Sequence, residues 1–291
     1  MAYYNFKRGT KLYIVYSNNQ YEFELNDISF GQTFAEESYP VKTLQQPNKF
    51  FEGAIINKAN PANFSFTIYA IKEPDFKILY DLGCKLNTSY NLNFFDAYIK
   101  STDYIFKLER AVITDIVFNI IKTEPLSITY DGQAAVVSKV SSIPGTPVSR
   151  SATTSYNIIK EVDFSLDSTT FDRVFSASLE LKNNINWFGH HTVQGSASTM
   201  YPYNYTLDSR SLTGSVGVYL VDTSALFTHS VNVPLYFRAG ESNLTGIECD
   251  APLVSITNRV AVEEAYTQYF DWRLMSNPTD LTTILTYLTL E

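Results

Sequence analysis

The feature that most constrains this chain is that its two halves read as weak copies of one another. Slid along by 140 positions, Leu108–Asp131 falls on Glu248–Asp271: Ala111 meets Ala251, Ile116 meets Ile256, Glu124 meets Glu264 and Asp131 meets Asp271. Tyr130 meets Phe270, so an aromatic–acid pair closes both segments. Upstream, Asn26-Asp27-Ile28-Ser29-Phe30 aligns with Asn183-Asn184-Ile185-Asn186-Trp187, and each match precedes a long polar loop and a strand-like run. A unit repeated within one chain is an efficient way to build a ring or array, because each copy meets its neighbour through the same kind of contact. The 291 residues accordingly divide into a first unit at 1–140, a linker at 141–156 and a second unit at 157–291. The stretch 138–156, SKVSSIPGTPVSRSATTSY, is rich in Ser, Thr, Pro and Gly, lacks periodicity and marks the link.

Period-two alternation dominates both units and predicts a mainly β fold, a β-sandwich with few flanking helices. Tyr21, Phe23 and Leu25 alternate with Glu22 and Glu24; Phe64, Phe66, Ile68 and Ala70 with Asn63, Ser65, Thr67 and Tyr69; Ala177, Leu179 and Leu181 with Ser176, Ser178 and Glu180. Val216, Val218 and Leu220 share one face of a further run, and 21 Tyr with 20 Phe suit a pleated, half-buried surface. Residues 111–121 are more continuously apolar, which predicts a strand buried on both faces. Helices are expected at Glu73–Leu82, with Pro74 at its entry and Gly83 as a stop, and at Asn277–Leu288, where Leu281, Ile284, Leu285 and Leu288 follow helical spacing.

The chemistry of common enzyme classes is missing. His190, His191 and His229 are the whole supply of histidine, and adjacent histidines on a strand point to opposite faces, so no metal site is expected. There is no HExxH, Walker A or GxSxG motif, and Gly214-Ser215-Val216-Gly217 lacks the third glycine of a dinucleotide fingerprint. The acidic pair Glu36-Glu37 reads as solvated, and Glu264 of the pair Glu263-Glu264, which matches Glu124, suggests a repeated structural or interface role and not a catalytic one. No catalytic residue and no cofactor is expected. Cys84 and Cys249 stand alone, without a disulfide framework. No signal-peptide layout and no apolar run near ~18 residues is found, so membrane insertion is not expected. Net charge is −8 and there is no basic run, against direct phosphate binding.

An acidic chain without enzyme motifs, carrying two β-rich copies with a long loop after an Asn-x-Ile-x-aromatic strand end, resembles the major tail tube proteins of tailed bacteriophages. It is most similar to the duplicated kind, in which three chains make a ring of six similar domains. Residues 22–30 with 63–71, and 175–187 with 212–221, carry the resemblance. It implies a structural virion protein, made in the host cytoplasm and built into the tail, that polymerises as homotrimeric rings stacked around a lumen for DNA delivery. Implied partners are further copies, other tail proteins and genomic DNA passing without specific binding. On that reading Glu22, Glu24, Ser176, Ser178 and Glu180 are candidates to face the lumen. Phe50, Phe51, Tyr201, Tyr203 and Tyr205, in the long loops 31–60 and 188–211, are candidates for contacts between rings. The alternative is a carbohydrate- or receptor-binding β-sandwich module of a phage particle, motivated by the tyrosine cluster at 201–205.

Overall fold

The structure, a computed structural model, describes residues 9–39, 53–71, 77–149, 156–188, 201–220, 230–242, 245–262, 265–276, 278 and 280–288. The first half contains β1 (Lys11–Tyr16), β2 (Asn19–Glu24), β3 (Asp27–Gly31), β4 (Phe34–Tyr39), β5 (Gly53–Ala59), β6 (Ala62–Tyr69), helix α1 (Lys77–Cys84), β7 (Phe95–Lys100), β8 (Ile105–Ile121), β9 (Ser127–Ala134), β10 (Val136–Val140) and β11 (Thr146–Pro147). The second contains β12 (Glu161–Leu166), β13 (Thr169–Thr170), β14 (Val174–Phe188), β15 (Asn204–Tyr219), β16 (Ser230–Ser242), β17 (Thr245–Val262), β18 (Tyr266–Leu274), a 3₁₀ turn at Leu281–Thr283 and β19 (Leu285–Leu288). The fold is mainly β, as the alternation predicts.

Two long strands organise it. The first part of β8 lies between β7 and β10, and its second part lies between β9 and β14. β17 does the same, pairing β16 and β19 along its first part and β18 along its last. A strand that leaves one sheet and enters another turns the corner of a sandwich. In the first half, Leu12, Ile14 and Phe23 from the β1–β2 side and Phe64, Phe66 and Ile68 from β6 join one buried cluster. That cluster runs on without a break into Leu179, Val216, Phe237, Ile256 and Phe270 of the second half. β8 is buried on both faces only at Ala111, Val112 and Ile113; further along, Ile116, Phe118 and Ile120 are buried while Asn119 is exposed.

The pairing order recurs. In the first half β3 pairs β6, β6 pairs β9 and β9 pairs β8. In the second, β14 pairs β15, β15 pairs β18 and β18 pairs β17. The hairpins β1–β2 and β12–β13 both turn through two residues with positive φ, Ser17-Asn18 and Asp167-Ser168, the backbone of a tight hairpin that follows strand twist. The Ala70 N–H donates to Leu126 O at 2.8 Å in one half, and the Leu220 N–H to Tyr266 O at 2.9 Å in the other. One cross-strand pair is filled in opposite senses. Phe64 lies opposite Gly132, where a Cβ would sit 2.1 Å from its ring, and Gly214 lies opposite Trp272, where a Cβ would sit 2.6 Å from the indole. These pairings place β3 in the position of residues 176–180. The upstream sequence match of Asn26–Phe30 with Asn183–Trp187 is therefore offset from the structural correspondence.

Helix α1 overlaps the expected helix; Pro74 and Asp75 of that expectation lie outside the described residues. Its Leu79, Tyr80, Leu82 and Cys84 are buried. Gly83 lets it approach β8, since a Cβ there would meet Ile116 at 2.5 Å. The second expected helix is not formed. Asn277 lies outside the described residues, the Asp280 carboxylate accepts the Thr282 N–H at 2.9 Å to cap a single 3₁₀ turn, and the chain then becomes β19. The reason is competition from the sheet. Leu285 and Tyr287 alternate into the core, Thr286 does not, and the first part of β17 offers β19 a pairing edge from Gly246 to Cys249. The Tyr287 hydroxyl donates to Ile71 O at 2.8 Å and the Tyr80 hydroxyl to Leu285 O, tying β19 back to the first half.

Candidate functional site: the polar face of an eight-stranded sheet

Strands β3–β6–β9–β8–β14–β15–β18–β17 form one continuous antiparallel run across both halves. One face supplies the core. Alternation puts hydroxyls, amides and carboxylates on the other. Ser29, Ser65, Asp131 and Asp115 lie opposite one another in a row across the first half. Ser178, Ser215, Asp271 and Thr257 form the corresponding row across the second. The rows meet at β8–β14, where Ser178 lies opposite Asn119 and Lys182 opposite Asp115.

The groups on this face largely bond to one another. The Ser215 hydroxyl donates to the Asp271 carboxylate at 2.6 Å, and the Thr67 and Thr129 hydroxyls lie 3.0 Å apart. The Gln133 amide donates to Asn63 Oδ1 at 3.2 Å, and Lys182 lies 3.6 Å from Asp115. Arg259 stacks on Tyr269 at 4.1 Å and reaches Asp271 at 4.0 Å. A shallow depression of about 420 Å³ is lined by Ser178, Glu180, Thr213, Ser215, Thr257 and Asp271 among others. Short side chains bonded to one another along the sheet leave this depression shallow and open. Among the described residues no group of His, Cys, Asp and Glu side chains is placed to hold a metal ion.

Of the candidate lumenal residues, Ser176, Ser178 and Glu180 lie together on this face. Glu22 and Glu24 do not join them. They belong to β2, which pairs β1 and β11; Glu22 forms an ion pair with Lys11 at 2.5 Å, and Glu24 accepts from the Tyr156 hydroxyl at 3.5 Å. The Glu22 carboxylate raises the Lys11 ammonium pKa.

The matched long loops are extended hairpins over their described parts, β4–β5 and the far end of β14–β15. Phe50 and Phe51 lie outside the described residues. Tyr201 meets Phe34 edge-on at 6.5 Å, so the two arms touch each other. Tyr203 is 49% exposed with Arg110 over its ring at 4.5 Å. Tyr205 is buried in a small cluster with Leu92 and Val112, and its hydroxyl donates to Leu92 O at 2.6 Å; burial pushes its pKa above the usual phenol value. It is held by its own chain and does not form a stacking platform.

Sequence reasoning missed Asn183 and Arg210. The Arg210 guanidinium donates to the carbonyls of Gly83 at 3.2 Å and Cys84 at 2.7 Å, at the end of α1, and to Asn183 Oδ1 at 2.8 Å. Asn183 Nδ2 in turn donates to Gly83 O and Ile113 O. This network joins the halves beneath β8–β14. No local motif announces it, because every bonded pair except Asn183–Arg210 is separated by 70 or more positions.

Among the described residues no helix is long and apolar enough to cross a membrane. The sequence matches the Bacteriophage Baseplate Tube Protein Family over residues 2–288. No curated protein matches it.

Proposed function

The chain belongs to the Bacteriophage Baseplate Tube Protein Family and is a structural component of the phage tail, and from that premise we propose that it builds part of the tail tube. In this reading the chain consists of two related tube units, with the first ending near residue 140 and the second beginning near 157. Three copies close a ring of six units, and rings stack into a tube. The observation that carries the reading is the single sheet in which β3–β6–β9–β8 is followed by β14–β15–β18–β17 in the same pairing order. Units that join edge to edge within a chain can join the same way between chains, and ring closure removes exposed sheet edges.

The polar face of that sheet is proposed to line the lumen. It presents the carboxylates Asp115, Asp131, Glu180 and Asp271 among hydroxyls, its Lys182 and Arg259 lie beside carboxylates, and Arg273 is a third cation on the same face. Such a wall repels phosphates and offers DNA few sites at which to stick. Tyr203 and the two arms are proposed to contact the adjacent ring.

Electron cryo-microscopy of assembled particles tests this. The expected result is three chains per ring, with Ser178, Glu180 and Asp271 on the inner wall. Six chains per ring, or those three residues on the outer wall, would sink it.

A further inference from the structure

Arg210 carries its charge inward without a carboxylate beside it. It stands on the side of β15 that also holds the buried Leu212. Its three bonded acceptors, Gly83 O, Cys84 O and Asn183 Oδ1, are all neutral, and among the described residues it makes no ion pair. Asp280 acts on it only through space; that carboxylate accepts from the Thr282 N–H and hydroxyl. Burial lowers the Arg210 pKa below its ordinary value. A charge taken out of water is costly unless a counter-charge meets it.

Two buried polar atoms at this point have no bonding partner, Arg210 Nη1 and Ser276 Oγ. The strands β15 and β18 pair as far as Thr213 and Arg273, and Arg210 and Ser276 lie just past that last pair on either side. Both residues line one cavity of about 50 Å³, closed by Leu212, Leu274 and Leu281 among others. Arg273 borders it too, but its pairing with Thr213 puts its side chain on the polar face of the sheet. Ser276 and Pro278 also border an outer depression of about 490 Å³ that includes Asp250, which sets the cavity beside open solvent. Among the described residues that line the cavity itself there is no carboxylate.

We propose that this cavity is a binding site for one small monovalent anion of the halide class, of which chloride is the common biological member, held by Arg210 Nη1 and Ser276 Oγ. Size and chemistry both select it. A water needs about 10–15 Å³ of such space, so the cavity takes an ion with a water or two and excludes a nucleotide or a sugar. A guanidinium N–H and a hydroxyl both donate, which favours an anion over a cation. A water would satisfy the hydrogen bonds and leave the charge of Arg210 unmet, whereas an anion meets both needs. The bound ion links the segment after β18 to Arg210, and through it to Asn183 and the end of α1. It therefore belongs to the junction between the halves, and the site does not depend on how copies of the chain assemble.

Chloride itself is the probe. In chloride nuclear magnetic resonance of the full chain, the parent is expected to give excess line broadening that bromide displaces. Its melting temperature is expected to be higher in sodium chloride than in sodium gluconate at equal ionic strength. Ser276→Ala removes a hydroxyl that bonds to nothing else in the chain, so it is expected to keep the parent's circular dichroism. It should bind chloride about tenfold more weakly, the usual effect of losing a hydrogen bond to a charged group. Arg210→Gln is expected to abolish the broadening. Absence of chloride-specific broadening in the parent overturns the proposal. So does parent-like affinity in Ser276→Ala, or broadening retained by a folded Arg210→Gln, since either places the ion elsewhere. Should Arg210→Gln unfold the chain, the parent and Ser276→Ala decide alone.

Discussion

The hairpins β8–β9 and β17–β18 share a place in the pairing order but not an environment. The first is sealed to its tip by the chain's own continuation; the second carries Val260, Val262 and Tyr266 into solvent. The contrast shows that, among the described residues, one pairing scheme is completed inside the polypeptide at one site and not at the next. An open apolar end costs nothing to the fold of the single chain, because those side chains have not been removed from water. It also confines the largest consequences of substitution to one half of an otherwise matched pair. The Phe64–Gly132 and Gly214–Trp272 pairs teach a related lesson: two facing positions share a fixed volume, while the residue that supplies it changes sides.

The largest expected effect comes from truncating the sealed hairpin. Phe118→Ala should cost about 3–5 kcal/mol, the usual range for losing a buried aromatic ring, whereas Val260→Ala should change stability of the unassembled chain by no more than about 0.5 kcal/mol. Urea unfolding of the two variants measures the difference, and similar midpoint shifts would break the contrast.

A smaller effect is expected at the matched glycines. Gly132→Ala places a methyl 2.1 Å from Phe64 and 2.4 Å from the Val112 carbonyl oxygen, while Gly214→Ala meets only the Trp272 side chain at its three nearest contacts. A ring can shift more cheaply than backbone, so Gly132→Ala should be the more destabilising, with overpacking costs of about 1–3 kcal/mol at such sites. Thermal melts rank them; the reverse order would show that the two pairs are not packed as counterparts.

The smallest effect at neutral pH concerns Cys84 and Cys249, one buried in each half, whose thiols burial pushes up to about 12. The folded value lies above the unfolded one, so the stability they contribute is fully present below about pH 9 and is lost as pH rises towards 12. Alkylation at pH 8 should therefore label both only after denaturation, read by mass spectrometry. Rapid native labelling of one thiol would reveal local opening in its half.

The β character and the division of each strand into apolar and polar sides are local properties, legible along each stretch of chain without its neighbours. Ser176, Ser178 and Glu180 could be assigned to one face because alternation follows directly from the pleat. The likeness of 108–131 to 248–271 falls on β8–β9 and β17–β18, which hold the same place in the pairing order, but only its second part is in register: Asp131 and Asp271 correspond, whereas Ile116 lies opposite Tyr130 and it is Asn258, not Ile256, that lies opposite Phe270. Which strands share a sheet was settled only when distant segments met. Glu22 and Glu24 show the same alternation as Glu180, yet β2 pairs elsewhere, because alternation names a side and no partner. Residues 281–288 have helical spacing, yet the last of them form β19, because the edge of β17 stabilises an extended conformation more than an isolated short helix can stabilise itself. The Arg210–Asn183 network and the open end of β17–β18 likewise depend on contacts between remote parts of the chain. Such contacts are set by packing after the strands meet, and no short window of sequence contains both partners.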